Sequence, residues 1–223
     1  MEELSQKKPR QKRAYSPSEI LKMKIPYMNF TGEWAEAFGQ PAPTGLWLVW
    51  GKSGNGKSAF VMKLAKYLCQ FGDVFYDSLE EDIRFSFQKN IARNRMDEVD
   101  GKFKTLKLSI EELDARMSDK RKEDIYIIDS FQAAKLNTKM YTELAEKHPD
   151  KLIIFVSRAD GNLPKGRGAE NLMWDADVKI WVEGFRAICK GRFQPQPGKS
   201  YTIWEEGSSK YWGGTPPDNG TRD

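Results

Sequence analysis

This 223-residue chain has a single histidine and two cysteines. Cys69 and Cys189 lie far apart, each inside an apolar pattern. That is how buried free thiols occur, and it leaves neither a disulfide nor a zinc site to expect. His148 stands among Lys147, Pro149 and Asp150, surroundings that predict a surface position at a helix end rather than a catalytic one. No apolar run reaches the roughly eighteen residues of a membrane span, and the N-terminus carries no apolar export segment. Membrane partners are therefore not expected, and the cytoplasm is the default compartment. Internal repeats and long low-complexity segments are also missing. The formal charge of +4 is too small to name a partner.

What charge there is sits at the start, where Lys7, Lys8, Arg10, Lys12 and Arg13 face only Glu2 and Glu3. Residues 1–15 read as a disordered basic arm, either a contact for nucleic-acid phosphates or a solubilising tail. The length suits one α/β domain with short tails, expected over residues 16–212 with a frayed tail at 213–223. Against this background one stretch stands out. Gly51-Lys52-Ser53-Gly54-Asn55-Gly56-Lys57-Ser58 meets every fixed position of the phosphate-binding pattern G-x-x-x-x-G-K-[ST]. Its glycines permit turns in which successive N–H groups converge on an anion at a helix start. Lys57 is the residue to reach the β- and γ-phosphates, and the Ser58 hydroxyl the one to hold Mg²⁺. The apolar run Leu46–Trp50 before it and a helical pattern after it supply the required context.

In chain order, Ser16-Pro17-Ser18-Glu19 opens a short capped helix ending before Pro26. Phe30, Trp34 and Phe38 predict a small amphipathic helix beside the nucleotide site, or alternatively a patch for another subunit. The stripe from Phe60 to Cys69 is the helix after the phosphate loop, with Gly72 at its C-cap. Val74–Tyr76 is a strand, Ile83, Phe87 and Ile91 a helix running towards Met96, and Phe103–Leu108 a further strand. Ser109-Ile110-Glu111-Glu112 is a capping box. Ile125–Ile128 is an apolar strand delivering Asp129, the shape of the element whose aspartate orders a Mg²⁺ shell opposite the loop serine. A helix around Met140, Tyr141 and Leu144 follows, then a buried strand, Leu152–Val156. The segment 158–168, with Arg158, Lys165 and Arg167 among its glycines, predicts a mobile basic loop. Three short strand-like segments near 178–182, 185–189 and 201–204 predict an antiparallel edge. The alternation gives an α/β fold with a mostly parallel central sheet, helices on both faces and an antiparallel C-terminal edge.

This ordered set, over roughly residues 40 to 205, resembles the RecA/DnaB-like superfamily of P-loop ATPases, which includes recombinases, replicative ring helicases and KaiC. Besides the phosphate loop, Ser78-Leu79-Glu80 looks like the strand end at which a glutamate of the DnaB-type helicases polarises the attacking water. The resemblance makes Glu80 the base, with Glu81 as the neighbour able to replace it, and Asp129 the Mg²⁺ aspartate. Asp175-Ala176-Asp177-Val178 is similar to a stretch of the replicative helicases, and Lys190-Gly191-Arg192 to the K-x-R pair offered to a neighbouring subunit's γ-phosphate. Such a family member uses ATP and Mg²⁺ and works as a ring or filament. Arg158 departs from the pattern, which has a glutamine there coupling γ-phosphate to DNA loops.

The leading expectation is an ATPase motor acting on single-stranded DNA, with Lys57, Glu80, Asp129, Lys190 and Arg192 catalytic. The loop bearing Arg158, Lys165 and Arg167 would track the phosphates. A nucleotide-switched protein-binding module is the alternative from another class. A small-molecule phosphotransferase is a third, against which the K-x-R resemblance speaks.

Overall fold

The computed structural model describes residues 13–191 and 198–213. Seven of the early elements follow the apolar periodicities. Helix α1 is Pro17–Lys22, α2 Gly32–Phe38, strand β1 Gly45–Gly51, α3 Lys57–Leu68, β2 Val74–Ser78, α4 Phe85–Arg93 and β3 Phe103–Leu106. Then come α5 Ile110–Ser118, β4 Ile125–Asp129, α6 Thr138–Lys147, β5 Leu152–Asp160, β6 Leu163–Pro164, α7 Arg167–Asp175, β7 Val178–Glu183, β8 Arg186–Cys189, β9 Tyr201–Thr202 and α8 Glu205–Trp212. The sheet runs β3-β2-β4-β5-β1-β7-β8-β9, with β6 folding back on β5. It is parallel from β3 to β7 and antiparallel from there to β9.

The central strands are apolar without interruption because both faces of the sheet are covered. Successive side chains point to opposite faces, so each strand feeds two cores. Trp47, Val49, Ile127, Ile154 and Ile180 pack with Phe60, Val61 and Leu64 of α3. Leu48, Trp50, Ile128, Phe155 and Trp181 pack with Leu113 of α5, Tyr141 of α6 and Leu172 of α7. Both predicted capping boxes are present, Ser16 with Glu19 and Ser109 with Glu112. Cys69 and Cys189 are buried free thiols, and burial pushes the Cys69 thiol up to about 11, which leaves it inert. None of the described helices is long and apolar enough to cross a membrane.

Several expectations are corrected. Helix α3 ends at Leu68 with Cys69 at its C-cap, so Gly72 lies beyond the cap; a Cβ there would meet the Asp124 carboxylate at 3.1 Å. Helix α4 starts only at Phe85, leaving Ile83 exposed, and stops at Arg93 before a separate 3-10 turn, Met96–Val99. Strand β3 ends at Leu106, because Leu108 N–H turns to the buried Asp77 carboxylate at 3.1 Å. His148 is buried rather than at the surface: it caps α6, and its Nε2 meets Asp114 Oδ1 at 2.6 Å. Trp34 of α2 is sandwiched between Tyr67, at 4.6 Å, and Tyr201, at 4.3 Å, so this aromatic helix is packed on its own chain. The basic segment 158–168 is a β5–β6 hairpin leading into α7 rather than a free loop. Helix α8 had no expected counterpart. Most of the basic arm, Arg192 and the tail beyond Gly213 lie outside the described residues.

Candidate nucleotide site

Parallel strands deliver their C-terminal ends to one edge of the sheet, where ligands bind in open α/β folds. Register decides what meets there. Gly51 pairs with Arg158 across β1 and β5, and Ser78 with Asp129 across β2 and β4. Glu80 lies just past β2, and its N–H donates to the Asp129 carbonyl at 3.0 Å. The phosphate loop, the candidate base, the candidate Mg²⁺ aspartate and Arg158 are thus neighbours, though they are widely spaced in the chain. A cavity of about 830 Å³ opens beside the loop, lined by loop residues from Lys52 to Ser58 and by Glu80 and Glu81, with Asp129 and Arg158 behind its lining.

The phosphate loop is held from the main chain. Gly54 and Gly56 take positive φ, 79° and 90°, which only glycine adopts without strain. Gly51 is required for a different reason: a Cβ there would stand 2.3 Å from the Val182 carbonyl of β7. Asn55 clamps the loop to the β7–β8 turn, its Oδ1 accepting from Gly184 N–H at 2.8 Å and its carbonyl from Phe185 N–H at 3.2 Å. That turn is Gly184-Phe185, both at positive φ, the two-residue hairpin loop whose twist matches the strands. A bulky residue there is unusual. Its ring lies over the loop, 3.0 Å from where a Gly56 Cβ would be. Trp204 meets Phe185 edge to face at 5.0 Å, and with Ile203 they wall the cavity's apolar side. Sequence reasoning missed these three. The one available signal was an aromatic directly after Gly184.

The carboxylate side is held by side chains. The Tyr76 hydroxyl donates to Asp129 Oδ2, and Arg158 Nη2 donates to Glu80 Oε1 at 2.8 Å. Burial pushes the Asp129 carboxyl up, with Glu80 and Glu81 adding to the rise, while the Tyr76 bond and the Lys57 charge oppose it. For Glu80 burial also acts upward, but the hydrogen bond and charge of Arg158, with Ser130 and Lys57, outweigh it and hold this carboxyl below its ordinary value. Ser58, Glu80 and Glu81 line the cavity together, oxygen donors of the kind a hard cation such as Mg²⁺ takes, with Asp129 next to Glu80. Among the described residues no three acidic, cysteine or histidine side chains form a self-sufficient metal cage.

The remaining expected residues are elsewhere. Lys190 is exposed, and its N–H donates to Lys179 O at 2.7 Å, towards the far end of β8 from the Gly184-Phe185 turn. It does not approach its own chain's phosphate loop. Asp175 accepts from Tyr141 Oη at 2.5 Å, and Asp177 from Leu46 N–H at 3.3 Å. The Asp175–Val178 stretch therefore joins α7 to α6 and β7 to β1. Lys165 N–H donates to Arg158 O at 2.7 Å in the hairpin, and Arg167 opens α7.

No family model matches this sequence, and no curated protein matches it significantly. Solved structures do match in shape. The flagellar accessory protein FlaH from Methanocaldococcus jannaschii aligns with a TM-score of 0.56 at 16% identity, covering 79% of this chain and 93% of that one. A second solved structure, an ATPase domain, aligns with a TM-score of 0.48 at 15% identity, covering 70% of this chain and 79% of that one. Together with the strand order and the loop at the end of β1, the likeness to FlaH gives this chain the fold of the RecA/DnaB-like P-loop ATPases.

Proposed function

We propose that this protein binds and hydrolyses ATP with Mg²⁺, and that it does so as a ring or filament acting on single-stranded DNA. The observation that carries the ATPase reading is the meeting of Glu80, Asp129 and the Gly51–Ser58 loop at one edge of the sheet through strand register.

Loop N–H groups and Lys57 would bind the triphosphate, and Ser58 with Asp129 would hold Mg²⁺. The cation would supply charge neutralisation between the β- and γ-phosphates. Glu80, adjoining Asp129 and lining the same cavity, would orient the attacking water and accept its proton at a carboxylate oxygen. The apolar wall of Phe185, Ile203 and Trp204 suits a nucleobase, excluding water from one side of the cavity. The site as described has no arginine finger from its own β8. Lys190 and Arg192 serving a neighbouring copy would meet that need, since such a finger is worth about a thousandfold or more in phosphoryl transfer. The cations Arg158, Lys165 and Arg167, on one hairpin and the helix start after it, support a contact with nucleic-acid phosphates.

Phosphate release, measured with and without single-stranded DNA across a range of protein concentration, tests this reading. Turnover that rises with both is expected. Slow turnover indifferent to both would favour the nucleotide-switched protein-binding alternative. Normal hydrolysis by Lys190→Ala and Arg192→Ala would remove the intersubunit part alone.

A further inference from the structure

Three cations gather where the β5–β6 hairpin meets α7. Among the described residues the side chains of Lys165 and Arg167 make no hydrogen bond or ion pair, whereas Arg158 is engaged with Glu80 Oε1 at 2.8 Å. The Arg158 backbone is anchored without help from that pair. Its N–H donates to Gln132 Oε1 at 3.1 Å, its carbonyl accepts from Lys165 N–H at 2.7 Å and from Ser157 Oγ at 2.9 Å, and Gln132 Nε2 donates to Lys165 O at 2.8 Å. A fixed main chain thus carries a guanidinium whose side chain is 55% exposed. A guanidinium fork fits carboxylate and phosphate equally well, and it cannot serve both fully at once.

We propose that Arg158 is contested between Glu80 and the phosphates of single-stranded nucleic acid. A strand lying along Lys165 and Arg167 draws Arg158 off Glu80, freeing the carboxylate oxygen that Arg158 holds. This inference rests on the nucleic-acid reading above and adds to it a route from strand binding to the hydrolytic base. The exchange is one ion pair for another, with no covalent change. The pair at stake is half-exposed, and such pairs are weak, so a polyanion already bound through two further cations can displace it. Linkage then requires reciprocity: a strand that weakens the Arg158–Glu80 pair is itself held less tightly because of that pair, so removing Glu80 must tighten strand binding.

The test measures binding of a fluorescent oligothymidylate to the nucleotide-free full chain by anisotropy at fixed salt. Glu80→Ala is expected to bind about two- to fivefold more tightly than the unaltered protein, the range set by exposed ion pairs. Glu81→Ala, which removes the same charge without touching Arg158, should change affinity less. In an Arg158→Ala background the Glu80→Ala effect should vanish, closing a double-mutant cycle. A second readout is kinetic: Arg158→Ala should raise turnover without DNA, leave the KM for ATP unchanged, and lose most of the stimulation by oligothymidylate. Equal tightening by Glu80→Ala and Glu81→Ala, or an undiminished Glu80→Ala effect in the Arg158→Ala background, overturns the proposal and leaves the nucleic-acid reading standing. No binding by any of the proteins overturns both.

Discussion

The two sides of the candidate site are built by different means. The phosphate loop is fixed mainly by its own backbone, through positive φ at Gly54 and Gly56, the glycine-only approach of Gly51 to Val182 and the Asn55 carbonyl on Phe185 N–H, with the Asn55 side chain adding a bond to Gly184 N–H. The carboxylate side is fixed by side chains arriving from β2, β4 and β5, held by Tyr76 on Asp129 and Arg158 on Glu80. A backbone cradle is preformed and has little to rearrange. An exposed ion pair has a weak hold on its partner and is open to competition. Binding should accordingly depend on the first side, and chemistry together with its control on the second.

Removing the loop's charge should give the largest effect. Lys57→Ala is expected to lower ATP turnover by about a thousandfold, as loss of a key stabilising donor does, and to weaken nucleotide binding with the fold intact by circular dichroism. Gly51→Ala separates packing from phosphate binding within the loop. Its Cβ meets a strand carbonyl that cannot retreat, so a loss of about 3 kcal/mol of stability is expected in urea unfolding. Gly54→Ala meets nothing within 4 Å and should cost about 1–2 kcal/mol through its backbone angle alone. Asn55→Ala strips the partner from the buried Gly184 N–H, a loss of about 1–3 kcal/mol. It should also loosen Phe185 over the loop, measurable as weaker nucleotide binding.

A pH-dependent effect lies at the edge of the carboxylate side. Asp77 is buried, with one oxygen on Leu108 N–H and the other, among the described residues, without a partner. Burial pushes its carboxyl up to about 7 from an ordinary 3.8, against the Leu108 bond. The folded state therefore holds this proton more tightly than the unfolded chain. Its contribution to stability is full below the unfolded value and falls away as pH rises to about 7. Asp77→Asn should flatten this decline, so that the variant melts above the unaltered protein near pH 8 and the gap closes towards pH 4. Equal melting temperatures at both ends of that range would show that Asp77 ionises in the fold at no cost.

The same contrast governs what could be read from the chain. The phosphate loop, the α3 stripe, the capping boxes at Ser16 and Ser109 and the apolar central strands are local patterns, and their elements were legible residue by residue. Glu80 and Asp129 could be singled out as strand-end acids, but their meeting depends on the pairing of Ser78 with Asp129, which no local pattern encodes. The hairpin at 158–164 was hidden because its glycines and charges read as a loop, whereas its backbone bonds go to Gln132 and to its own paired strand. His148 looked exposed because its neighbours in sequence are polar. Its partner, Asp114, comes from another helix. The apolar wall of the cavity was invisible because Phe185 and Trp204 are brought to it by an edge of the sheet reached late in the chain.

The most direct test of this division between binding and chemistry is Glu80→Gln, with nucleotide affinity and single-turnover phosphate release measured on the same protein. The account predicts affinity for MgATP within about threefold of the unaltered protein, and release slowed by about a hundredfold or more, the usual contribution of a general base. Unchanged release, or affinity and release lost in equal measure, would contradict it.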